Sequence, residues 1–93
     1  HSSRNIVSVN NAEHFVWGDF YDGWWLKKGN NFTVIEEIIP PGGLEVKHVH
    51  HLSEQFFYVL NGSLHIEINA HEYQLQNNQG ITIPAGVIHQ VLN

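Results

Sequence analysis

The sequence predicts an all-β domain, a sandwich or barrel, and three observations carry that reading. Short runs rich in valine, isoleucine and aromatic residues recur along the 93 residues, with Gly, Pro, Asn and Asp between them. No segment of useful length shows the apolar period of a helix. From Leu64 to Asn69 the alternation is strict, with Leu64, Ile66 and Ile68 on one face and His65, Glu67 and Asn69 on the other, which should meet water.

Taken in order, Phe15-Val16-Trp17 reads as a strand that stops at Gly18-Asp19. Trp24-Trp25-Leu26 follows Asp22-Gly23, and Lys27-Lys28 reads as a solvated turn. Phe32 to Ile39 is the third run, closed by Pro40-Pro41-Gly42-Gly43. Leu44 to His50 and Gln55 to Leu60 come next. Asn61-Gly62, lying between Leu60 and Ser63, predicts a two-residue hairpin to the run Ser63–Ile68, because both residues tolerate the positive φ of a type I′ turn. A second reversal at Asn69-Ala70-His71 leads into Tyr73-Gln74-Leu75. Gln76 to Gly80 is a polar turn, Ile81-Thr82-Ile83 ends at Pro84-Ala85-Gly86, and His89 to Leu92 is the last run.

No linker, repeat or low-complexity stretch divides the chain, so residues 1–93 are read as one domain. A domain of this size buries only about 60–65% of its unfolded surface, and a second copy is a natural supplement. Hydrophobic residues make up 42%, which argues for a folded core. Four basic residues against nine acidic ones give a formal charge of −5. That balance argues against nucleic acid, which needs clustered Lys and Arg, and against an anionic membrane surface. No apolar run is long enough to span a bilayer. Without cysteine there is no disulfide, thiolate or iron–sulfur chemistry. The start, His1-Ser2-Ser3-Arg4-Asn5, has no hydrophobic signal core, so a cytoplasmic protein is expected, with His1 given no functional weight.

The unusual count is eight histidines. On a strand, residues two apart share a face, so Leu44, Val46, His48 and His50 should point one way and Glu45, Lys47 and Val49 the other. The charged pair marks the outer side. Two histidines at this spacing sit about 6.6 Å apart at Cα and can lean onto one ion. On a helix they would diverge by about 200°. Glu54 heads a face shared with Phe56, Tyr58 and Leu60, where an unpaired carboxylate would be costly and a metal ion would offset the charge. His89 follows the turn Pro84-Ala85-Gly86 and is the best candidate for a third imidazole.

Gly42 to Gly62, with His48, His50 and Glu54, resembles the first motif of the cupins, and Pro84 to Asn93, with His89, resembles the second. Together they cover roughly residues 32–93. The glycine after Glu54 comes one residue later than in the strictest form of the first motif. The resemblance implies a double-stranded β-helix, or jelly-roll barrel. It also implies one divalent transition metal (Fe, Mn, Ni, Co, Cu or Zn) held by His48, His50, Glu54 and His89. Cupins usually continue with at least one further strand, so a closing strand is expected beyond Asn93 or from a partner chain. That ending, the small core and the apolar residues on both faces of Gln55–Leu60 predict a homodimer.

Phe56 and Tyr58 are read as pocket walls, and Tyr58 is the candidate acid or base beyond the ligands. Trp17, Trp24 and Trp25 are read as core, and His14, His51, His65 and His71 as surface histidines. The function expected first is a metal-dependent enzyme acting on a small organic substrate by oxygenation, isomerisation, decarboxylation or hydrolysis. The alternative is a module that binds or senses a small molecule, with the metal as anchor and no catalysis. A structural role with a vestigial site is the third reading, because fold does not determine function.

Overall fold

Because strand runs dominate the sequence and helix signals are missing, pairing decides the architecture. The computed structural model describes residues 6–45, 47–49 and 53–93, His48 through its backbone. Among them the chain forms nine strands and no helix. They are β1 (Glu13–Trp17), β2 (Tyr21–Lys28), β3 (Thr33–Glu37), β4 (His48–Val49), β5 (Gln55–Tyr58), β6 (Leu64–Ile68), β7 (His71–Leu75), β8 (Gly80–Ile83) and β9 (Ile88–Leu92). The chain divides into two compact units, His1–Pro40 and Pro41–Asn93.

The first unit is an antiparallel meander in the order β1-β2-β3. Trp17 pairs with Tyr21 across a tight turn in which Gly18 and Phe20 both take positive φ. Gly23 stands opposite Phe15, and a Cβ built there would lie 2.6 Å from Phe15 Cε2. The missing side chain lets the ring lie flat across β2, where it tilts against Trp25 at 5.1 Å. The β2–β3 register shifts between Trp25 and Lys27, so Leu26 is the extra residue of a bulge that bends β2. Lys27 and Lys28 are the last residues of that strand, not a turn. Their placement follows from local partners. Lys28 bonds Glu13 at 3.0 Å and lies over Trp25, while Lys27 lies over Phe32.

The second unit holds a four-stranded sheet, β4-β9-β6-β7, and a two-stranded one, β5-β8. β6 and β7 form a hairpin through Asn69-Ala70, both with positive φ as a type I′ turn requires. Asn61-Gly62 does not make the expected hairpin. β5 pairs with β8 and β6 pairs with β7 and β9, so Asn61-Gly62 connects two sheets. The glycine still supplies the predicted positive φ, and its amide donates to Asn77 Oδ1. Turn chemistry fixed the local bend, while long-range pairing chose the partner.

The core of this unit is Val59, Ile66, Leu75, Ile83 and Val91, with His89 the buried polar residue among them. Opposite the core face, Lys47 meets Glu67 at 3.0 Å and His65 meets Glu72 at 3.4 Å. These side chains are half-exposed, so each pair contributes at most about 1 kcal/mol. No described helix is long and apolar enough to cross a membrane.

Candidate metal centre

The residues expected to hold a metal come from three places in the second unit. His48 opens β4, Glu54 precedes β5, and His89 is the second residue of β9. His50 lies outside the described residues.

β4 and β9 run antiparallel with His48 directly opposite His89. Opposed Cα atoms in such a pair are about 4.5–5.5 Å apart, so the two motif segments meet at their histidines. Below this point the backbone pairing continues. Glu45 N donates to Val91 O, Gly42 N to Asn93 O, and Leu44 bridges Leu92. From Leu44 to His48 the chain advances four residues, while its partner retreats only three, from Leu92 to His89. The register therefore slips by one residue between Leu44 and His48, so the face expected to be shared by these two positions is not kept. Val46, like His50, lies outside the described residues. Leu44, 48% exposed, does not share the face of His89.

His89 is 1% exposed. Gly86, at φ 80, turns the chain after β8 so that β9 starts at Ile88. The ring's Nδ1 faces the carbonyl of Val87 at 3.4 Å, and Phe57 meets the ring edge-on with centroids 6.1 Å apart. Gln90, next on the strand, donates from Nε2 to Glu45 O at 3.0 Å and ties β9 to the segment leading into β4.

β5 presents its faces differently from the sequence reading. Phe57 and Val59 turn inward, Val59 at 7% exposure. Phe56 and Tyr58 are 64% and 50% exposed, stacked on each other at 6.3 Å. Phe56 spreads over Gly80, where a Cβ would sit 2.5 Å from its Cζ. The ring against His89 is thus Phe57, which the sequence did not single out. Both faces of this strand are apolar, and hydrophobicity alone could not rank them. Glu54 is exposed, one residue ahead of β5. Among the described residues no group of three or more His, Cys, Asp or Glu side chains is gathered to hold an ion.

The donor chemistry nevertheless fits a metal. A buried imidazole with one nitrogen against a backbone carbonyl is how metal-binding histidines are commonly oriented. The register adds a second histidine position directly across from it.

A family profile described as cupin domain matches residues 35–93. The polyketide synthase CurC of Streptomyces cyaneus is 34% identical over 56 residues, covering 60% of this chain and 36% of that protein. The chain therefore spans about a third of that relative's length. Among solved structures, KdgF from Halomonas sp. superposes with a TM-score of 0.82 at 13% identity, covering 89% of this chain and 76% of that one. The Cnp3 cupin domain of Schizosaccharomyces pombe gives 0.80 at 16% identity, with 95% and 63% covered. At these identities the likeness is one of fold.

Proposed function

Because the chain belongs to the cupin-domain family and has its all-β jelly-roll fold, we propose that it binds one divalent metal through His48, His50, Glu54 and His89 and acts as a metal-dependent enzyme on a small organic substrate. The observation that carries this reading is the direct opposition of His48 and His89 on β4 and β9. The surroundings of His89 support it. A carbonyl can only accept, so the contact with Val87 O favours the proton on Nδ1 and the lone pair on Nε2, the nitrogen that would face a metal. Phe57 restrains the ring from its edge, and burial limits the approach of water.

Three imidazoles and a carboxylate suit Fe, Mn, Ni, Co, Cu or Zn. When bound, such an ion would supply Lewis-acid polarisation of a substrate oxygen. The substrate class is a small oxygenated molecule, in keeping with the polyketide synthase that the Streptomyces relative is named as. Nucleic acid is a poor partner for a chain of charge −5.

Elemental analysis of protein purified without chelator or nickel resin tests the site. About one equivalent of metal per chain is expected, lost in His48→Ala. A wild-type protein that stays metal-free after reconstitution would remove the proposal. Oxygen-uptake and metabolite screens on the loaded protein then test turnover.

A further inference from the structure

The row of register partners that joins His48 to His89 continues across the sheet. His89 is opposite Ile68 on β6, and Ile68 is opposite His71 on β7. Direct partners project to one face, so His89, Ile68 and His71 share the face that holds the core. Burial falls along this row. His89 is 1% exposed, Ile68 is half-buried and His71 is exposed at the sheet edge. Two strand spacings separate His89 from His71, about 10 Å between Cα atoms. The row therefore reads polar, apolar, polar, over a span that a small organic acid can bridge once the two side chains reach inward.

We propose that His71 is a ligand-contacting residue at the rim of the metal centre. It donates a hydrogen bond to the far oxygen of a small organic acid whose near oxygens face His89 and whose carbon chain lies on Ile68. A neutral imidazole keeps one N–H donor, so the role needs no added charge. An apolar strip between two polar ends is how small pockets orient such molecules. This inference rests on the metal reading above.

The test uses cobalt(II)-loaded protein, followed through its visible absorption bands, titrated with acetate and with succinate. Acetate offers the near carboxylate alone, and succinate adds a second one two methylenes away. The wild-type protein should bind succinate about tenfold more tightly than acetate, as a hydrogen bond to a charged group allows. His71→Ala should lose that preference while keeping cobalt uptake and acetate affinity. His71→Gln, which retains an N–H donor, should keep part of it. Equal preference in wild type and His71→Ala, or none in the wild type, overturns the role of His71 and leaves the metal reading standing. Failure of the wild type to take up cobalt overturns both.

Discussion

His48 and His89 stand directly opposite one another in the antiparallel pairing of β4 and β9. They come from the two motif segments, and the sheet makes them neighbours. That pairing ties the proposed site to the stability of the second unit, because His89 lies in a row with the core residue Val91 two positions along the same strand.

Metal should therefore stabilise the fold. At a free metal concentration about 100 times the dissociation constant, linkage gives about 2.7 kcal/mol. Thermal unfolding with and without added metal should show a rise in the wild type and none in His89→Ala. The rise should shrink as pH is lowered, because protons compete for the same imidazole nitrogens. An equal rise in wild type and variant would place the metal elsewhere.

Ala70 occupies the second position of the β6–β7 turn at φ 70. An L-residue there costs about 1–2 kcal/mol that glycine avoids. Part of this gain is lost to glycine's greater freedom in the unfolded chain. Ala70→Gly creates the favoured Asn-Gly pair and should stabilise the protein by roughly 0.5–1 kcal/mol, measured by urea denaturation. A lower midpoint would contradict the assigned turn.

Gly23 makes room for the ring of Phe15. Gly23→Ala should destabilise by about 1–3 kcal/mol, the usual range for overpacking. The same change in a Phe15→Ala background should cost much less, because the clash is then gone. Additive losses in that double-mutant cycle would show that the ring does not set the cost.

Phe56 and Tyr58 on β5 and Leu60, two residues past its end, are 64%, 50% and 61% exposed. Apolar side chains so arranged favour association, and a homodimer is expected. Light scattering at tens of micromolar should return the mass of two chains. A monomer under those conditions would refute the expectation.

Much of this was legible from the residues. Alternating and β-branched runs predicted the strands, and Gly, Pro and Asn marked most of their ends. The segment Gly42 to Gly62, with His48 and Glu54, and the segment Pro84 to Asn93, with His89, pointed to cupins, and the profile over residues 35–93 bears out the family. These features are local, and local chemistry determines them. Strand partners were decided elsewhere. The Asn61-Gly62 signal was a sound turn, yet β5 joined β8, because pairing is set by which distant edges bury the most surface. The slip between Leu44 and His48 and the inward turn of Phe57 have the same origin. A period of two says which residues share a face, but only packing says which face is inside. Where both are apolar, as from Gln55 to Leu60, the tertiary structure alone chooses, and it is also what sets His71 in line with His89.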